Sequence, residues 1–173
     1  PVLFAWTDKP LGLGDVLLAA VTFGLIVIEF VADQQQYDFQ TEKHRQIDSN
    51  GAATGRYADG FVSTGLWAYS RHPNYAAEQA IWVCVYGFSV IATGEWFNPS
   101  SIGAILLLLL FVGSANFSEG LSAEKYPLYA RYIEATPRFW PQPWRSRFVP
   151  GDKDQAPTAL ASETPASEGR SED

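Results

Sequence analysis

The chain has 173 residues, 47% of them apolar and 14% aromatic, and a formal net charge of −7. That length suits one domain, and the twelve scattered basic residues exclude the dense cationic patch that a nucleic-acid binder needs. A single cysteine, Cys84, excludes an internal disulfide.

The sequence opens on Pro1 and contains no Met, which reads as a fragment of a longer chain. The first predicted element is an apolar helix over Leu13 to Ala32, with one acid, Glu29, near its end. A polar stretch, Ala32 to Lys43, follows. If the helix continues, Asp33, Gln36, Tyr37 and Gln40 share one face. Ser49 to Gly55 reads as a loop from its Gly and Asn content.

Next comes Gly65-Leu-Trp-Ala-Tyr-Ser-Arg-His-Pro-Asn-Tyr-Ala-Ala-Glu78, which runs into a second apolar helix, Ala76 to Thr93. Pro73 suits the first turn of that helix, where a missing N–H costs nothing. Asn74 and Glu78 then lie one turn apart on one face. A helix start with Arg71 and His72 beside it is suited to an anion. The third apolar helix spans Ile102 to Phe117 and ends in Asn116-Phe-Ser-Glu119. A short tyrosine-rich helix over Tyr126 to Glu134 is closed by Pro137.

Each long apolar run approaches the roughly 20 residues that a membrane span requires. The expected fold is therefore all-α, a polytopic helical membrane protein with three spans in a domain covering residues 1–150. Nine of the twelve basic residues lie between the first two spans or between the third and residue 150, which places those segments and the tail on the cytoplasmic side. Trp67, Trp140 and Trp144 suit one interfacial belt, and Trp96 with Phe97 the other. Residues 151–173 carry six acids against two bases, −4 of the total −7, and read as a disordered acidic tail.

The polar residues cluster on that one side and suggest a single site. There is no Gly-rich dinucleotide turn, phosphate-binding loop or nucleophile elbow. With only two histidines and one thiol, a His/Cys metal site is not expected.

Gly65 to Glu78 resembles the G-L-W-x-Y-S-R-H-P-N-Y-F-G-E signature of steroid 5-alpha-reductase-like membrane proteins, with Ala76-Ala77 in place of Phe-Gly. Ala32-Asp-Gln-Gln35, Gly113 to Glu119, Lys125 to Tyr129 and Thr136 to Pro141 resemble other motifs of that family in the same order. The resemblance implies the C-terminal part of a bundle of six or seven spans that holds NADPH. It also implies hydride delivery to a carbon–carbon double bond of a steroid or isoprenoid-type lipid, in the endoplasmic reticulum or a bacterial inner membrane. Carried over by motif, Asp33, Arg71, His72, Asn74, Tyr75 and Glu78 hold the cofactor, with Lys125 and Tyr129 closing over its phosphates. The family's catalytic acid pair belongs to earlier spans, so no catalytic acid is assigned. The alternatives are an S-adenosylmethionine-dependent membrane methyltransferase, which shares an Arg-His-Pro motif, and a non-catalytic membrane protein.

Overall fold

The computed structural model describes residues 10–142 and 148–151. Those residues form four α-helices, α1 (Leu13–Asn50), α2 (Pro73–Thr93), α3 (Ser100–Lys125) and α4 (Tyr129–Ala135). Single 3-10 turns sit at Gly55–Tyr57 and Gly65–Ala68. The expected all-α architecture is observed, with no strand among the described residues. Helices α1, α2 and α3 are each long and apolar enough to cross a membrane. Trp144, Arg145, Arg147 and the acidic tail beyond Gly151 lie outside the described residues.

Helix α2 packs along α1 on one side and α3 on the other. Close approach to α1 depends on Gly87, where an added Cβ would sit 3.0 Å from the Leu18 side chain. Away from these contacts the helices turn apolar side chains outward, among them Val16, Leu17 and Phe23 on α1 and Ile105, Leu106 and Leu109 on α3. Such a surface is costly in water and suits a lipid environment.

Helix α1 differs from the predicted first span. It has 38 residues, a length of about 57 Å, nearly twice a hydrocarbon core of about 30 Å. It ends at Gly51, whose N–H donates to the Ile47 carbonyl at 2.8 Å. Ser49 and Asn50, expected in a loop, form its last residues. The polar half remains helical because the chain after it packs onto it. Phe39 is buried with Val62 and Trp67. Lys43, counted from sequence among the loop cations, is buried and donates to the Gly60 carbonyl at 3.0 Å.

Pro73 starts α2 as the first-turn argument requires. Helix α3 runs eight residues past Phe117, so Glu119 falls within a helix. Helix α4 begins at Tyr129, not Tyr126, because Pro127 and Leu128 form a turn closed by the bond from Tyr129 N to the Tyr126 carbonyl at 3.0 Å. Trp67 is also not at an interface. It is buried, and its indole Nε1 donates to the Ala32 carbonyl at 3.0 Å. Trp140, Trp96 and Phe97 are exposed, as a belt requires.

Gly60 joins the long polar end of α1 to the turn before α4. Its φ of 88° is in the left-handed region, and a Cβ there would lie 2.2 Å from the Tyr126 ring. Gly60→Ala is expected to lower stability through an unfavourable φ and an overpacking cost of about 1–3 kcal/mol. Thermal melts of the detergent-solubilised protein test this, and an unchanged midpoint would show that the turn is not under this constraint.

Candidate functional site

The polar end of the bundle is built around one carboxylate. Glu119, in the penultimate turn of α3, is only 5% exposed. It accepts from Arg71 Nε at 2.9 Å, from Arg71 Nη2 at 3.3 Å and from Arg138 Nη2 at 2.7 Å. His72 Nε2 lies 3.0 Å from the same carboxylate. Two guanidinium groups against one carboxylate leave this cluster net positive before His72 is counted.

Arg71 is held in place on all sides. Its Nη1 donates to the Ile133 carbonyl at 2.9 Å and to the Thr136 carbonyl, at the end of α4. Backbone bonds run alongside, from Arg71 N to the Pro137 carbonyl at 2.9 Å and from His72 N to the Arg138 carbonyl at 3.0 Å. Four of the five guanidinium N–H groups are thus used internally. Arg71 ties α3, α4 and the entry to α2 together, with one N–H outside these bonds. Arg138 completes the tie by donating to Asn116 Oδ1 at 2.7 Å.

A cavity of about 210 Å³ adjoins this network, lined by residues of α1, α2, α3, α4 and the loop before α2. Its aromatic wall contains Phe61, Trp67, Tyr75, Tyr129 and Tyr132. The His72 and Tyr75 rings are stacked, with centroids 5.1 Å apart. Burial, the largest cause, pushes the Tyr129 phenol up to about 12, and Glu119 nearby adds to it. Burial raises Tyr132 as well. Both therefore stay protonated at neutral pH, and the Tyr132 hydroxyl donates to the Trp67 carbonyl at 2.6 Å. Gln36 also lines the cavity, and its buried Oε1 accepts no hydrogen bond. Buried acceptors seldom remain unfilled.

Of the sequence-predicted residues, Arg71, His72, Asn74, Tyr75 and Tyr129 line this cavity together. Asp33 stands one bond behind, accepting from Asn74 Nδ2 at 2.9 Å. Glu78 and Lys125 are not among the lining residues. Glu78 accepts from Trp82 Nε1 at 2.9 Å and neighbours Glu29 across the α1–α2 contact. Lys125 is exposed, with its Nζ 5.3 Å from the Tyr126 ring centroid. Tyr37, expected to share a face with Gln36, is 67% exposed.

The central role of Glu119 was not assigned from sequence, although an acid at the end of an apolar helix is itself a signal. Arg138 was likewise not assigned, whereas Tyr132, in the tyrosine-rich stretch after α3, does wall the cavity. Among the described residues, no group of three or more His, Cys, Asp or Glu side chains is placed to hold a metal.

A family profile described as "Protein of unknown function (DUF1295)" matches residues 1–136. The chain belongs to the DUF1295 family. This DUF1295 chain is 34% identical over 146 residues to an uncharacterized protein of Schizosaccharomyces pombe, covering 81% of the chain and 42% of the relative. It is 26% identical over 102 residues to human "Sphingomyelin phosphodiesterase 2", covering 59% of the chain and 23% of that protein. The DUF1295 chain thus spans less than half the length of either curated relative. No solved structure gives a significant match.

Proposed function

We propose that this chain is the cofactor-binding part of an integral-membrane oxidoreductase. In this reading it uses NADPH to reduce a carbon–carbon double bond of a steroid or isoprenoid-type lipid. The observation that carries the reading is the convergence of all three polar stretches on one aromatic-walled, net positive cavity. The DUF1295 family's link to steroid 5-alpha-reductase-like proteins supports it.

The residues present suit the cofactor. Arg71 and Arg138 provide a positive field for phosphates. The open acceptor of Gln36 suits a carboxamide N–H, and the stacked His72–Tyr75 pair offers flat surface for a ring. When bound, NADPH supplies the hydride. The chain's own residues bind it, orient it and wall it from solvent.

Beside the cavity lies an apolar cleft of about 250 Å³, lined by residues including Leu25, Ile28, Pro73, Ala76, Phe139 and Trp140. One chain segment separates the two. Ser70 and Pro73 face the cleft, and Arg71 and His72 face the cavity. An apolar cleft next to a polar cofactor site fits a lipophilic substrate.

A methyltransferase would need negative charge for the sulfonium of S-adenosylmethionine. Glu119, a buried carboxylate at this site, is already matched by two guanidinium groups. Thermal melts in detergent separate the readings. NADPH at a hundred times its Kd should stabilise the protein by about 2.7 kcal/mol, and S-adenosylmethionine should not. The reverse pattern would replace the reductase with the methyltransferase, and no shift from either would favour a non-catalytic role.

A further inference from the structure

A second cavity, of about 330 Å³, lies against the polar half of α1 and the loop before α2. Val62, 5% exposed, lines both cavities and forms the partition between them. Successive residues of α1 serve the two sides, Gln35 the second and Gln36 the first.

Size argues that the two act together. Small-molecule sites are typically about 300–1,000 Å³, so the first cavity, at about 210 Å³, is too small for a whole dinucleotide. The second has the chemistry that the remainder needs. Phe39 and Tyr57 form an aromatic wall with ring centroids 5.1 Å apart. The Arg56 guanidinium lies 4.9 Å from the Tyr57 centroid and donates to its hydroxyl at 2.8 Å. That bond uses one N–H of a five-donor fork, and Arg56 is exposed at the edge of the cavity. Asp38 and Thr64 add a carboxylate and a hydroxyl. The lining from α1 begins at Gln35, just past the apolar run that ends at Ala32, where a charged nucleotide can sit in water.

We propose that this second cavity is an adenine-nucleotide subsite. It takes the purine and ribose phosphate of the dinucleotide whose nicotinamide end enters the first cavity. The aromatic wall stacks the purine, Asp38 and Thr64 bond ribose or base, and Arg56 meets the phosphate. This rests on the NADPH reading above, but adenosine 2′,5′-bisphosphate and nicotinamide mononucleotide let the two be tested apart.

Binding of each half-ligand to the full-length protein in detergent is measured by calorimetry, for wild type, Arg56→Ala and Thr64→Phe. The bisphosphate should bind wild type and compete with NADPH. Arg56→Ala should weaken it by about tenfold or more, as for a lost charge-assisted bond. Thr64→Phe, which fills the cavity, should weaken it too, and both variants should leave mononucleotide binding unchanged. Melts without ligand check that the variants fold, and Arg56, being exposed, should tolerate truncation. No binding of the bisphosphate to wild type, or equal binding to folded Arg56→Ala, overturns the subsite even if NADPH binds. Arg56-dependent binding of the bisphosphate without NADPH binding would leave a nucleotide site at Arg56 but overturn its place in a dinucleotide site, and the reductase reading with it.

Discussion

Glu119→Gln should be among the most damaging single substitutions in this chain, lowering stability by about 3–5 kcal/mol. The amide is close in size to the carboxylate but carries no charge. It leaves Arg71, 6% exposed, without its anionic partner. Its amide Nε2 also points a donor toward guanidinium N–H groups that are themselves donors. At this chain length the cost corresponds to a fall in melting temperature of roughly 2–4 °C per kcal/mol. Thermal melts in detergent measure it. A wild-type midpoint in the variant would mean that the carboxylate does not hold α3 to the Arg71–Arg138 segments.

Arg71→Lys tests the geometry of the fork with the charge retained. The guanidinium reaches Glu119 on α3 and the Ile133 and Thr136 carbonyls on the far side. A lysine ammonium donates from one point and cannot serve all three. The expected loss is about 2–4 kcal/mol, because buried acceptors at the end of α4 are left without partners. The NADPH-dependent stabilisation should fall with it, since the walls of the cavity lose their common anchor. Melts of the variant with and without saturating NADPH separate these effects. A lower midpoint with the full NADPH shift would make Arg71 a structural tie and remove it from the cofactor's contacts. An unchanged midpoint would count against the fork altogether.

The outline of the site was readable from Gly65 to Glu78 because its signals are local. Pro73 starts α2, and a proline's fixed φ acts on its own neighbours. Arg71, His72, Asn74 and Tyr75 reach the cavity together because they flank that helix start. Glu78 is near them in sequence, but a turn further along α2 places it on the contact with α1. Trp67 shows the opposite failure. A tryptophan beside an apolar helix suits an interface by composition, yet this one is buried because the Ala32 carbonyl, 35 positions away, meets its N–H.

Three long apolar runs, the proline at the head of α2 and an all-helical membrane-type architecture follow from the sequence by itself. Each depends on residues within a few turns of one another and on the cost of exposing apolar side chains to water. Only the tertiary structure decided that Glu119 pairs with Arg71, 48 positions away, and that Val62 divides two cavities. A buried charge takes the partner that folding brings to it, and neither periodicity nor composition carries that distance.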